Sequence, residues 1–140
     1  MGEPNVWSVA RLDDSGERRA GVSVNGFEMP CDVPLDDVPE PTGATPFGLL
    51  AGSLAACTAM SVRTFLHRWR IEPGEVEVRV AVRAGQPPMM DRRVVVQGEV
   101  DRDLREQLAG EIATTPVTRL LRDAVTIRTV LTTGTTPTPG

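Results

Sequence analysis

The sequence predicts an α+β fold with mainly antiparallel sheets, from three observations. Patterned segments follow one another as three short strands, one long helix, two strands, two helices and a last strand. Helices clustered in this way, rather than alternating singly with strands, argue against a doubly wound parallel sheet. Val76–Arg83 and the segment 92–100 alternate apolar and charged residues, the period of strands half-buried on one face. Between the two groups of strands lies a run without proline from Phe47 to Trp69, too long for a strand.

Taken in order, segments 6–12 and 18–24 read as strands around a polar Asp13-Asp14-Ser15-Gly16 turn. Asn25-Gly26 then supplies a two-residue hairpin turn before a third strand at 27–31. Residues 32–45 hold Pro34, Asp36, Asp37, Pro39, Pro41 and Gly43 without periodicity, which is a surface connector or, less simply, a lid over a substrate. Thr45 followed by Pro46 matches an N-cap and first helical residue, and the helix is expected to run about 24 residues. Residues 49–60 carry no charge, so both sides of the helix need covering by protein. Small residues at Ala51, Gly52, Ser53, Ala55 and Ala56 would let a second subunit approach, and His67 and Arg68 suit a helix C-terminus. Asp101 or Asp103 can cap a second helix bearing Leu104, Leu108 and Ile112, which Pro116 interrupts before a short helix through Leu121. Residues 124–131 return to strand. One domain is expected over 1–131, with 132–140, made only of Thr, Pro and Gly, as a disordered tail.

Composition excludes several functions. Fifteen basic residues against 19 acidic leave a net charge of −4, and all the basic residues are Arg. Without Lys there is no Schiff-base chemistry, and without a basic run there is no footprint for nucleic acid or an anionic membrane. Cys31, Cys57 and one His cannot fill a four-ligand zinc site, so neither metal nor cofactor is expected. The first thirty residues show no signal-peptide pattern, and no later segment reads as a membrane span. A soluble cytoplasmic protein is therefore expected, in a compartment that keeps thiols reduced.

The run Thr45-Pro46-Phe47-Gly48-Leu49-Leu50-Ala51-Gly52-Ser53-Leu54-Ala55-Ala56-Cys57-Thr58-Ala59-Met60-Ser61-Val62-Arg63 closely resembles the Pro-x-x-Leu-Leu-x-Ala-x-x-x-Cys-Thr-Ala-Met segment of the OsmC/Ohr family of thiol-dependent hydroperoxide reductases and their relatives. Pro116-Val117-x-Arg119-Leu120-Leu121 and the flanking strands fall in the same order. The resemblance implies an OsmC-like fold, antiparallel sheets around a long central helix, and an intertwined homodimer. It also implies that Cys57 is the reactive thiol. The pocket around it would take in Phe47, Leu50, Ser53, Leu54, Met60 and Ser61 from the helix, with Thr115 and Arg119 from the later segment.

Three parts of the reductase site that the resemblance implies are changed here. The second cysteine falls on Thr115, a carboxylate position on Phe47, and the connector offers Asp36 and Asp37 where an arginine would lie. A thiolate nucleophile needs nearby cations or oriented donors. One helical turn from Cys57, Ser53, Met60 and Ser61 offer at most hydroxyl hydrogen bonds. The activating cation must come from elsewhere: Arg18, Arg19, Arg119 or an arginine of a second subunit. Two readings stand. In the favoured one, Cys57 reduces an organic hydroperoxide in a one-cysteine cycle completed by an external thiol. In the other, the dimer keeps an apolar pocket without peroxidase activity, binding a small apolar ligand or running another chemistry.

Other residues read as structural. His67 is about 80° around the helix and roughly 15 Å along it from Cys57, too far for a dyad. Met89 and Met90 read as packing into their own domain rather than lining a pocket lip, Trp7 and Trp69 as core or interface anchors, and Cys31 as structural rather than resolving.

Overall fold

A computed structural model of the chain describes residues 7–12, 14, 19–33 and 42–134. The chain divides into two compact units, residues 1–50 and 51–140.

The first unit is a meander of three antiparallel strands, β1 (Ser8–Arg11), β2 (Ala20–Val24) and β3 (Phe27–Cys31). Asn25 and Gly26 both take positive φ, 47° and 89°, as the tight turn joining β2 to β3 requires. Asn25 Oδ1 also accepts a hydrogen bond from the Trp7 backbone N–H at 3.1 Å, tying β1 to the turn. After β3 the backbone N–H of Asp32 donates to the Ala44 carbonyl at 2.9 Å, and the Asp32 carboxylate accepts from the backbone N–H and hydroxyl of Thr42. The Thr42 N–H bond in particular holds the Asp32 carboxyl below its ordinary range. Gly43 is required where it stands, because a Cβ there would lie 2.6 Å from the Pro30 carbonyl oxygen. The expected 13–16 turn and 32–45 connector lie largely outside the described residues.

Helix α1 (Pro46–Arg68) begins as the Thr45-Pro46 pair predicts, with Thr45 Oγ1 accepting from the Gly48 N–H at 2.9 Å. Its first five residues belong to the first unit and the remainder to the second. In the second unit a three-stranded sheet has the order β4 (Val76–Arg83), β5 (Met89–Val96), β6 (Thr126–Thr133). Between β5 and β6 come α2 (Arg102–Ile112), capped by Asp101 at 2.9 Å, and α3 (Pro116–Leu121). Val62, Phe65 and Leu66 of α1, Val94 and Val96 of β5, and Leu104, Leu108 and Ile112 of α2 form one apolar core. The four-residue spacing of the α2 leucines and isoleucine thus marks its buried face, as the sequence predicts.

Several expectations are corrected. β4 and β5 are antiparallel, but β5 and β6 are parallel, with Arg92 opposite Thr129. Two helices lie between them, and a crossover of that kind returns the chain to the end from which it started. β6 continues through Thr132 and Thr133, two residues into the expected tail, while 135–140 lie outside the described residues. By length and composition α1 is apolar enough to cross a membrane, contrary to the sequence reading, yet Leu54, Thr58, Val62, Phe65 and Leu66 are buried within the protein. Trp7 and Trp69 are not core residues, being more than half exposed. Met90 is buried, in keeping with structural packing, and His67 is an exposed helix-end residue 3.5 Å from Glu72.

Leu66 has no exposed surface and sits where α1 meets the shared core. Leu66→Ala should lower the unfolding free energy by about 2–5 kcal/mol, measured by urea denaturation. A loss below about 1 kcal/mol would mean that α1 is not held by this core.

Candidate active site

Cys57 lies in the middle of α1, half-buried and free, and the next residue, Thr58, is fully buried. Thr58 turns its hydroxyl back along the helix, donating to the Leu54 carbonyl at 2.7 Å. That leaves the Thr58 oxygen to accept from outside, and the donor is Arg92 Nη1 at 3.1 Å.

Arg92 belongs to β5, whose inward residues are Met90, Arg92, Val94 and Val96. Only 2% of its surface is exposed. Nη1 also donates to Thr118 Oγ1 at 2.7 Å, Nε to Thr129 Oγ1 at 3.1 Å, and Nη2 to the Ile112 carbonyl at 3.3 Å. All four acceptors are neutral. Among the described residues Arg92 forms no ion pair with a carboxylate, although Asp91 is its neighbour. The pleat sends Asp91 to the opposite face, where Arg83 of β4 and Arg128 of β6 bind it and hold its carboxyl below the ordinary range. Burial lowers the Arg92 pKa below its ordinary range, while the charge of Cys57 acts in the opposite sense.

The expected site residues divide into two sets. Leu54, Cys57 and Thr115 lie in the second unit around this arrangement, with Thr115 Oγ1 bonded to Thr118 Oγ1 at 2.6 Å. Thr115 thus braces the hydroxyl that receives Arg92. Ser53 is exposed and Ser61 half-buried on α1. Met60, 70% exposed, and Phe47, 68% exposed, present apolar surface outward, and Leu50 is also exposed. Phe47 and Leu50 fall in the first unit. Arg119 is exposed on α3 and takes no part in the hydrogen bonds that hold Arg92. Arg19 is exposed in the first unit beside Asp32, and Arg18 lies outside the described residues. Among the described residues the buried cation beside this stretch of α1 is Arg92. A signal for it exists: Arg92 has the same parity as Met90, Val94 and Val96, the buried face of the strand.

The family described as OsmC-like protein matches residues 39–130. No curated protein matches the chain. Among solved structures, an OsmC-like protein from Mycoplasma pneumoniae superposes with a TM-score of 0.78 at 14% identity, covering 95% of this chain and 99% of that one. The organic hydroperoxide resistance protein OsmC from Legionella pneumophila gives 0.70 at 17% identity, covering 94% and 99%. The organic hydroperoxide resistance protein OhrB of Bacillus subtilis gives 0.64 at 19% identity, covering 91% and 97%. At these identities the likeness is one of fold.

Replacing Arg92 by Met should slow alkylation of Cys57 by iodoacetamide at pH 7 by about tenfold, the effect of about 1.4 kcal/mol of lost charge interaction. Arg92→Lys should recover part of the rate, because it keeps the charge without the planar fork. Equal alkylation rates in wild type and a folded Arg92→Met would show that the guanidinium does not act on the thiol.

Proposed function

Because the chain belongs to the OsmC-like protein family, we propose that it reduces organic hydroperoxides through Cys57, in a one-cysteine cycle completed by an external thiol. The observation that carries this reading is the buried Arg92, held by neutral acceptors with no carboxylate partner among the described residues, one of those acceptors being the hydroxyl of Thr58, next to Cys57 in the chain. Names of structural neighbours such as organic hydroperoxide resistance protein point the same way.

In the proposed cycle the Cys57 thiolate attacks the terminal oxygen of the hydroperoxide. An S–O bond forms, the O–O bond breaks, and the leaving alkoxide takes a proton to become the alcohol. Cys57 is oxidised to a sulfenic acid and the hydroperoxide is reduced. One external thiol then attacks the sulfenic sulfur, releasing water and forming a mixed disulfide. A second thiol attacks that disulfide, releases the oxidised pair and returns Cys57 to the thiolate. Thr115 cannot serve as an internal resolving group, since a hydroxyl forms no disulfide. With Phe47 where a carboxylate would lie, the leaving oxygen lacks one charged partner. Loss of such a preorganised group usually costs about 10²–10³ in rate, so turnover is slow.

We further propose a homodimer in the cytoplasm. The uncharged middle of α1 leaves Met60 and neighbouring small residues uncovered in the single chain, and a second copy of this helix is the simplest cover. The cycle needs a supply of reduced thiols, which the cytoplasm provides.

Cumene hydroperoxide should be consumed faster by the wild-type protein with an added dithiol than by free cysteine at the same pH, and Cys57→Ser should abolish the difference. Equal slow consumption by both would end the peroxidase reading in favour of an apolar-ligand pocket. Light scattering at micromolar concentration should give about twice the 15.1 kDa chain mass. A stable folded monomer would refute the dimer.

A further inference from the structure

Arg92 also lines a cleft of about 360 Å³ in the second unit, together with Thr118, Arg122, Thr126, Ile127 and Thr129. Counting donors shows what the cleft can hold. A guanidinium has five N–H groups, and the protein accepts from four of those on Arg92, leaving one Nη2–H over. The Thr129 oxygen accepts from Arg92 Nε, so its own hydroxyl proton is available to donate. Thr126 contributes another hydroxyl, and Arg122 a second guanidinium that forms no ion pair among the described residues. Among the described residues no carboxylate lines the cleft. The remaining wall, Ala113, Val125 and Ile127, is apolar.

Two guanidinium groups and spare hydroxyl donors around a small cavity match an oxyanion. The apolar wall matches a short hydrocarbon body attached to it, and the fork geometry of arginine favours a planar carboxylate. We propose that this cleft binds a small aliphatic carboxylate, and that its occupation weakens the support Arg92 gives to a thiolate at Cys57. The coupling follows from sharing one cation between two anions. Arg92 reaches the helix through Thr58, next to Cys57 in the chain, and also forms part of the cleft. An anion that draws on the same charge raises the cost of a second, and the effect is reciprocal. The coupling rests on Cys57 being the reactive group of the proposed function. The cleft itself does not.

The test uses sodium butyrate, with n-butanol as its neutral counterpart and inorganic phosphate as the other oxyanion. Calorimetry on the full chain should show saturable butyrate binding, none for n-butanol and weaker binding for phosphate. Arg122→Gln, a substitution at an exposed position, should weaken butyrate binding by about tenfold, as loss of a charge-assisted contact does. Saturating butyrate should slow iodoacetamide alkylation of Cys57 by about fivefold, and Arg122→Gln should move that protection to correspondingly higher butyrate. Absent binding, equal binding of n-butanol, or affinity unchanged by Arg122→Gln overturns the site. Tighter binding of phosphate overturns the carboxylate assignment. Binding with unchanged alkylation overturns the coupling. A protein that binds butyrate in this way but does not reduce cumene hydroperoxide would lose the proposed function and keep the cleft.

Discussion

A charge buried without a counter-charge is the constraint around which the second unit is arranged. Taking an arginine out of water costs several kcal/mol unless its donors find acceptors and its charge finds an opposite. Arg92 meets the first condition for four of its five N–H groups, with hydroxyls from α1, α3 and β6 and the carbonyl that ends α2. One side chain on the central strand therefore gathers four other elements around it. Among the described residues no carboxylate meets the second condition. Fold and candidate chemistry depend on the same guanidinium.

Much of the fold was legible because local chemistry decided it. Thr45-Pro46 caps α1, Asn25-Gly26 makes the hairpin turn, and Asp101 caps α2, each through bonds made within a few residues. The parallel pairing of β6 was not legible by the same means. Nothing in the alternation of 124–131 says which neighbour it will find or in which direction, since that depends on where α2 and α3 leave the chain. Arg92 was missed for a different reason. Composition marks arginine as a surface residue, and the period of two, which places it inward with Met90, Val94 and Val96, was read for the apolar residues alone.

Thr115 shows how one substitution can change the meaning of a whole segment. At the position where the resemblance implies a resolving thiol, a hydroxyl sits 2.6 Å from the hydroxyl of Thr118, which in turn receives Arg92 at 2.7 Å. A thiol is a weak hydrogen-bond partner and would brace that contact poorly. The segment Thr115–Thr118 is therefore better suited to holding the guanidinium than to exchanging electrons with Cys57.

The location of the cation matters as much as its presence. Arg92 is fixed on the middle strand of a three-stranded sheet, hydrogen-bonded to elements on several sides, so little reorganisation remains when charge develops nearby. Asp91 gives the contrast on the other face of the same strand. There a carboxylate is bound by Arg83 and Arg128, both largely exposed, and solvent screens the cluster. Neighbouring residues of one strand thus carry opposite charges into opposite environments. The pleat keeps them from neutralising each other. Were β5 shifted by one residue against its partners, Asp91 would face Thr58 and Arg92 would join the exposed pair, and the interior would hold an anion beside the thiol. Strand register, set by the apolar Met90, Val94 and Val96, is in this way what brings Arg92 to Thr58, the residue after Cys57.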